Sequence, residues 1–209
     1  ICSKYRIIAL KQAINKKFNL AILDDGLQDK NLKYDISIAC FNSSSLAGNK
    51  FLIPAGPLRE RFLKIKNYNV IFLNGENINT KFENDLLKIN PKILIFRAKY
   101  IPKNLNSLSR KKRFLMFCGI GNPFEFELTL KKYNFKIKEI LHFPDHYKYK
   151  DTDIKEIKKI ANKKNLKIIT TEKDYNRLST HNKKNIEFLK IDLKIEKENK
   201  FRKYLKDNL

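Results

Sequence analysis

The sequence contains no tryptophan, a single methionine and only three cysteines. Cys2, Cys40 and Cys118 are odd in number and lie far apart in the chain. They suggest neither a disulfide framework nor a zinc site, and a reducing cytoplasm fits this usage best. Long hydrophobic runs are also missing, since a membrane-spanning helix needs roughly 20 apolar residues and the runs here are of strand length. We therefore expect no transmembrane helix.

The first residues lack the apolar stretch and the small-residue cleavage site of a signal peptide, and they lack an initiator methionine. We therefore expect the chain to begin within a longer protein or to have been trimmed.

Acidic residues are scarce, with 22 Asp and Glu against 45 Lys and Arg and a formal net charge of +23. The excess of basic residues is spread over both halves of the chain and consists mostly of lysine. Such a distribution favours a solvated basic surface, and we predict no nucleic-acid partner. Attraction to an anionic membrane surface is an open alternative.

Apolar runs of strand length alternate with helix-like stretches along the whole chain. The segment 151–163 repeats isoleucine behind an acidic first turn, which predicts an amphipathic helix. Such alternation is typical of helices packed on a largely parallel sheet, so we predict an α/β fold. The polar segment 101–113 loses the periodicity, and we interpret it as a linker between a first lobe, residues 1–100, and a second lobe, residues 114–209.

Two acidic residues follow the apolar stretch LAIL at residues 20–23. We predict a strand there, which would bring Asp24 to the carboxyl edge of the sheet, where open α/β folds bind ligands, with Gly26 turning the backbone. Adjacent carboxylates repel each other, and a cation such as Mg²⁺ between them would relieve that repulsion. A plain Asp-Gly turn at a strand end is the alternative.

The segment FLIPAGPLRERF at residues 51–62 places Arg59 and Glu60 behind a bend stiffened by proline. Pro57 suits the first turn of a helix, from which the arginine would meet phosphate and the glutamate would meet metal. A Pro-Gly loop with exposed charges explains the same residues equally well.

Three further motifs follow predicted strands. In GIGNP, Asn122 and Pro123 suit a helix N-cap and first helical position, while a phosphate-binding loop is the weaker interpretation. In TTEKD, the spacing from Thr171 to Asp174 matches a capping box, and Lys173 is a candidate for a polar site. In HFPDHY, His146 beside an aspartate is a candidate catalytic acid or base, although a hydrogen-bonded surface histidine is the simpler interpretation.

Together and in this order, the motifs DDGLQ, LIPAGPLRE, GIGNP, FPDHY and TTEKD closely resemble the tetraacyldisaccharide 4'-kinase family of lipid A biosynthesis. The resemblance implies part of a P-loop NTPase-like lobe with a parallel sheet, followed by a second, smaller α/β lobe. It also implies transfer of the γ-phosphoryl group of ATP, with Mg²⁺, to the 4'-hydroxyl of a lipid A disaccharide 1-phosphate. The place implied is the cytoplasmic face of the bacterial inner membrane, or the cytoplasm.

Matching positions imply roles for residues of the first lobe. Asp24 and Glu60 correspond to metal-binding acids, Asp25 and Arg59 to catalytic groups near metal and phosphate, and Gln28 to a glutamine that lines the nucleotide or substrate site. In the second lobe, His146 corresponds to a histidine that supports the catalytic aspartate, and Lys173 is a candidate for substrate or nucleotide binding.

The chain departs from the family pattern in two ways. Asp29 stands where the family motif has a histidine, and no segment matches the glycine-rich phosphate loop or the stretch with the catalytic aspartate. We therefore expect a carboxyl-terminal portion of the kinase, inactive alone and able to bind its missing amino-terminal portion. The alternative is a non-catalytic remnant or binding module of the same ancestry. In either case, a strand at residues 20–23 without neighbours exposes its pairing edge.

Overall fold

The computed structural model describes residues 1–109 and 111–209. The chain divides into two compact units, of which the first comprises Ile1–Lys99 and Lys194–Leu209 and the second comprises Tyr100–Leu193. Residues 194–209, which we predicted in the second lobe, thus belong to the first unit. Phe201 explains this difference, because its ring lies 5.0 Å and 5.1 Å from the rings of Phe72 and Phe96 in the first unit.

The predicted linker 101–113 also differs from the structure. Its described residues belong to the second unit, where they include the end of one strand, a short 3-10 helix at Leu105–Ser107 and the start of another strand.

The regular elements of the described residues are, in chain order, α1 (Arg6–Asn15), β1 (Ile38–Asn42), a 3-10 helix (Phe62–Asn67), β2 (Val70–Asn74), α2 (Thr80–Ile89), β3 (Leu94–Pro102), the 3-10 helix at Leu105–Ser107, β4 (Arg113–Cys118), α3 (Pro123–Lys132), β5 (Lys136–His142), α4 (Asp151–Lys163), β6 (Lys167–Thr171), α5 (Glu172–Arg177), β7 (Ile186–Leu189), β8 (Ile191–Ile195) and α6 (Glu198–Asn208). None of these helices combines the length and the apolar character needed to cross a membrane.

The first sheet has the strand order β1-β2-β3-β8. β1, β2 and β3 are parallel, with Val70 of β2 level with Ile38 of β1 and Leu94 of β3. One face carries Ile71 and Leu73 against Phe82 and Leu86 of α2. Val70 and Phe72 belong to a separate core cluster with Phe96 and Phe201. Because these side chains alternate along β2, the two clusters lie on opposite faces of the sheet.

The second sheet has the order β5-β4-β6-β7, and all of its strand pairs are parallel. β4 is buried from Phe114 to Cys118. Its side chains alternate between two cores: Phe114 and Met116 pack with residues of α3, whereas Leu115 and Phe117 pack with residues of α4. A parallel sheet covered on both faces requires such a continuous apolar run. The predicted α/β class with parallel sheets is confirmed.

Two segments, residues 151–163 and 20–23, were predicted to form regular structure. The helix predicted at 151–163 is confirmed over the same residues. The strand predicted at 20–23 is wrong, since these residues have no regular structure and Ile22 is 88% exposed. An apolar segment becomes a strand only when a neighbouring strand pairs with its backbone groups. In the described residues no strand pairs with this segment.

Of the two interpretations of residues 51–62, the structure has the Pro-Gly loop and no helix that begins at Pro57. The backbone N–H of Leu58 donates to the carbonyl of Phe51 (3.1 Å), and the N–H of Ile53 donates to the carbonyl of Leu58 (2.9 Å). These bonds close a turn over residues 51–58 and leave Arg59 and Glu60 before the 3-10 helix, which begins only at Phe62.

Candidate functional site

The acidic pair lies in a turn that Arg6 of α1 holds in place. The Nη2 atom of Arg6 donates to the carbonyl oxygens of Asp24 (3.3 Å) and Asp25 (3.1 Å). The left-handed residue of this turn is Asp25, with φ of 51°, rather than the glycine that we expected. Gly26 instead lies close to Leu23, since a Cβ atom at position 26 would lie 3.0 Å from the Cβ atom of Leu23 and would press against it.

Asp25 and Arg59 form an ion pair across 34 residues of sequence, with 2.5 Å between Nη1 and Oδ1. This hydrogen bond lowers the pKa of the Asp25 carboxyl and raises the pKa of the Arg59 guanidinium. Both side chains are more than half exposed. The pair is therefore open to a ligand, and a phosphate could share the guanidinium, which has donors to spare.

Glu60 accepts a hydrogen bond from the phenol of Tyr68. Burial raises the pKa of Tyr68, and the hydrogen bond to Glu60 raises it further. Tyr68 therefore remains a protonated donor and holds one carboxylate oxygen, Oε2, of Glu60.

A cavity of about 1440 Å³ brings these residues together in the first unit. Its wall includes all five side chains that we predicted for the first lobe, namely Asp24, Asp25, Gln28, Arg59 and Glu60. The wall also includes apolar residues of α1, β1 and α6. The Oε1 atom of Gln28 is buried there with no hydrogen-bond partner among the described residues. A buried acceptor without a partner is costly, so this atom is suited to a ligand donor or to a cation.

Among residues 1–109 and 111–209, no group of three or more His, Cys, Asp or Glu side chains could hold a metal ion. The side chains of the cavity wall therefore do not fit a metal site built from protein ligands alone. They do fit Mg²⁺ bound together with a nucleotide, because Mg²⁺ commonly takes one or two carboxylates and obtains its other ligands from phosphates and water. The wall of the cavity includes the carboxylates of Asp24 and Glu60.

In the second unit, the structure brings His146 and Lys173 together around Asp145. The backbone N–H of His146, a residue with φ of 60°, donates to Oδ1 of Asp145 (2.8 Å). The Nζ atom of Lys173 lies 3.8 Å from the same oxygen, and Nε2 of His146 lies 3.8 Å from Oδ2. The side chains of His146 and Lys173 are 73% and 51% exposed.

Two neighbours of this cluster are functional candidates that the sequence interpretation missed or misread. Thr171 caps α5 as predicted, by accepting from the backbone N–H of Asp174 (3.0 Å). The Asp174 carboxylate, however, is buried and accepts from the Gly119 backbone and from Arg177 instead of closing a capping box. Arg177 in turn contacts the ring of His146. The three-residue spacing from Asp174 to Arg177 on one helix face was the available signal.

The buried carboxylate also affects its neighbours. Burial and the charge of Asp174 raise the pKa of the Cys118 thiol to about 12, and the same two causes raise the pKa of Tyr149. Neither group is suited to act as a nucleophile or a base near neutral pH. In the same unit, Asn122 caps α3 by accepting from the backbone N–H of Glu125 (3.3 Å), with proline at the next position, as predicted.

Comparisons with known proteins agree on one family. The family described as tetraacyldisaccharide-1-P 4'-kinase (LpxK) matches residues 1–209. The tetraacyldisaccharide 4'-kinase of Pelagibacter ubique is 45% identical over 194 residues, which cover 92% of this chain and 62% of the relative. The enzyme of the same name from Rickettsia typhi is 37% identical over 180 residues, covering 86% of this chain and 54% of the relative.

A solved structure has the same fold. It is the crystal structure of the "apo" form of LpxK from Aquifex aeolicus in complex with ATP, with a TM-score of 0.58 and 24% identity. The match covers 88% of this chain and 55% of that one, so the chain spans little more than half the length of these proteins. On the family match over residues 1–209 and the 45% identity to a curated relative, the chain belongs to the tetraacyldisaccharide 4'-kinase family.

Proposed function

We propose that this chain is part of a lipid A 4'-kinase, which transfers the γ-phosphoryl group of ATP to the 4'-hydroxyl of the tetraacyldisaccharide 1-phosphate precursor of lipid A. The observation that carries the proposal is the cavity of the first unit, whose wall holds two adjacent aspartates, an arginine, a glutamate and an unpaired glutamine oxygen. Family membership supports the same activity. Phosphoryl transfer depends mainly on positioning and charge stabilisation, which these groups can provide.

Asp24 and Glu60 are the proposed ligands of Mg²⁺. Magnesium bound with the nucleotide would neutralise charge on its phosphates. Tyr68 orients Glu60 for this role, because its hydroxyl donates a hydrogen bond to Oε2. The other carboxylate oxygen, Oε1, is the one that we propose for the ligand.

Asp25 and Arg59 are proposed to act as one unit. The guanidinium provides donors to a phosphate, and the carboxylate orients it through the 2.5 Å hydrogen bond. Gln28 is proposed to line the nucleotide or substrate site, because its buried Oε1 atom is a free acceptor.

His146 and Lys173 are the residues proposed for the second unit. His146 would hold or donate a proton at Nε2, and the ammonium of Lys173 would contact phosphate. Lys173 lies on the short helix α5, whose first turn follows directly from β6.

The 209 residues contain no glycine-rich loop with Lys and Ser or Thr to hold the β- and γ-phosphates. We therefore propose that this chain alone turns over no ATP, and that it requires an amino-terminal portion of the kinase as partner. Its further proposed partners are the lipid A disaccharide 1-phosphate and the cytoplasmic surface of the inner membrane.

A chimera tests this function. This chain would replace the matching 194-residue region of the Pelagibacter ubique enzyme, and 4'-phosphorylation of the disaccharide would be measured in bacteria depleted of their own kinase. We expect the chimera to restore phosphorylation, the Asp24→Asn chimera to fail, and the chimera with Asp207→Asn, an exposed residue of α6, to behave like the parent.

The isolated chain, assayed with Mg²⁺, ATP and the disaccharide, should show no turnover. Turnover that disappears in Asp24→Asn would contradict its proposed inactivity. A chimera that is folded and abundant but inactive would overturn the kinase proposal in favour of a non-catalytic remnant.

A further inference from the structure

We propose that Asp174 and Arg177 are positioning residues for His146: together they hold its ring with Nδ1 as a hydrogen-bond acceptor, so that the ring proton is carried at Nε2. This inference deepens the proposed function and rests on it in one respect, namely that His146 meets the reacting groups. The arrangement of the three side chains is a separate matter and can be tested without any kinase activity.

Asp174 is the fixed point of this arrangement. The residue is 0% exposed, and its Oδ2 atom accepts hydrogen bonds from the hydroxyl of Thr171 (2.7 Å) and the backbone N–H of Gly119 (3.1 Å). Its other oxygen, Oδ1, lies 3.3 Å from Nη1 of Arg177. A carboxylate is rarely buried unless it is paired and hydrogen-bonded, and once it is, its position is narrowly defined.

Arg177 connects Asp174 to the imidazole ring of His146. Its Nη1 atom donates to Asp174 and to the carbonyl of Gly119 (3.1 Å), which fixes the plane of the guanidinium. Its Nη2 atom lies 3.0 Å from Nδ1 of His146. Arginine is always protonated and has donors only, so Nδ1 must be the acceptor in this contact. A neutral ring that accepts at Nδ1 carries its proton at Nε2.

The Nε2–H group is left available for a ligand. Its nearest carboxylate oxygen is Oδ2 of Asp145, at 3.8 Å, which is too far for a hydrogen bond. Asp145 instead accepts a hydrogen bond from the backbone N–H of His146. It therefore supports the conformation of the loop and makes no hydrogen bond to the imidazole ring. His146 can therefore present one defined donor to a carboxylate or a phosphate oxygen. A ring that exchanges between tautomers would present that donor for only part of the time.

A purely structural role is the competing explanation. In that case Asp174 and Arg177 serve only to join α5 to the loop after β4, and they do not influence the tautomer of the His146 ring. The two explanations differ in the tautomer of one histidine, which nitrogen chemical shifts report directly.

The experiment uses the 209-residue chain labelled with ¹⁵N at its histidine rings. Long-range ¹H–¹⁵N spectra would be recorded at pH 8.5, where imidazole rings are neutral, and His146→Gln would identify the His146 signals among the three histidines. We expect well-separated Nδ1 and Nε2 shifts, typical of a single tautomer with the proton at Nε2.

In Arg177→Gln, we expect the separation between the two nitrogen shifts to shrink, because the ring then samples both tautomers. Asp174→Asn should change the shifts in the same direction, and the double variant should add nothing further. The matched control is Lys164→Gln, which removes a cation from another ion pair of the same unit, 2.5 Å from Glu139. This control should leave the His146 shifts unchanged.

Unchanged His146 shifts in a folded Arg177→Gln variant would overturn the inference. So would backbone spectra in which Arg177→Gln alters the whole second unit, because the role of Arg177 would then be structural. Asp174→Asn carries a risk of unfolding because the residue is buried, and the decision therefore rests on Arg177, whose side chain is 23% exposed. No ATP or acceptor is present in these spectra, so a failure of the proposed kinase function would not change their outcome.

Discussion

Among single residues, Asp25 of the first unit and Asp174 of the second differ in how their charges are paired. The ion pair of Asp25 with Arg59 lies in solvent, whereas Asp174 is buried among three donors. An exposed pair in water contributes little to stability and can exchange partners with a ligand. A buried carboxylate keeps its partners because each lost hydrogen bond leaves an unpaired charge. This difference supports the ligand contact that we propose for the exposed pair and the positioning role that we propose for the buried carboxylate.

We predict that Arg59→Ala raises the pKa of Asp25 towards its ordinary value. The hydrogen bond from Arg59 is the main cause of the lowered pKa, so its loss removes most of the effect. A lowered folded-state pKa stabilises the protein above the unfolded-state pKa, and this stabilisation is lost as the pH falls through the folded-state value. The variant should lose this acid-range pH dependence.

Titration of the Asp25 carboxyl carbon by NMR checks the prediction. Lys50→Ala is the matched control, because it removes the partner of a different carboxylate, Asp85. An unchanged pKa of Asp25 in Arg59→Ala would contradict the proposed pairing.

At the scale of elements, the sequence predicted well where hydrophobic residues alone decide the structure. The helix 151–163 was predicted from its repeated isoleucines and its acidic first turn, and two of the isoleucines, Ile154 and Ile157, are buried under the second sheet. Residues 20–23 are equally apolar, yet they form no strand. A helix satisfies its backbone groups internally, whereas a strand depends on a neighbour that the local sequence does not specify.

We predict that the chain self-associates through the apolar surface around α1. β1 is at the end of its sheet, every residue of α1 keeps part of its surface in solvent, and Ile14, Phe18 and Ile22 are 69%, 61% and 88% exposed. An unpaired sheet edge beside exposed apolar side chains favours association between chains.

Sedimentation velocity over a range of concentrations measures this association. Ile22→Lys should shift the distribution towards the monomer. Leu128→Lys, which alters an exposed apolar residue of α3 in the second unit, should not. A wild-type chain that stays monomeric throughout the range would contradict the prediction.

At the scale of the whole molecule, the net charge of +23 is the dominant property. Each lysine near an anionic leaflet contributes roughly 1 kcal/mol of attraction, and this attraction is screened over about 10 Å at 0.1 M salt. We therefore expect a chain with this net charge to be attracted to a surface of anionic lipids.

We predict that the chain cosediments with vesicles containing anionic lipids at low salt and is released at high salt. Vesicles of neutral lipid are the control and should bind little of it. Equal binding to both kinds of vesicle would contradict an electrostatic membrane partner. Binding to DNA that is tighter than vesicle binding at the same salt concentration would favour a nucleic-acid partner and contradict our expectation that there is none.

The amino-acid sequence was sufficient to predict the family, the α/β class and the charged residues of the candidate site, because ordered motifs and periodicity are local properties. Three features could be seen only in the folded chain: Asp25 pairs with Arg59, residues 194–209 return to the first unit, and Arg177 contacts His146. These contacts join residues more than 30 positions apart, or depend on which strands find a neighbour. Side-chain packing settles both of these matters, and no short stretch of sequence contains it.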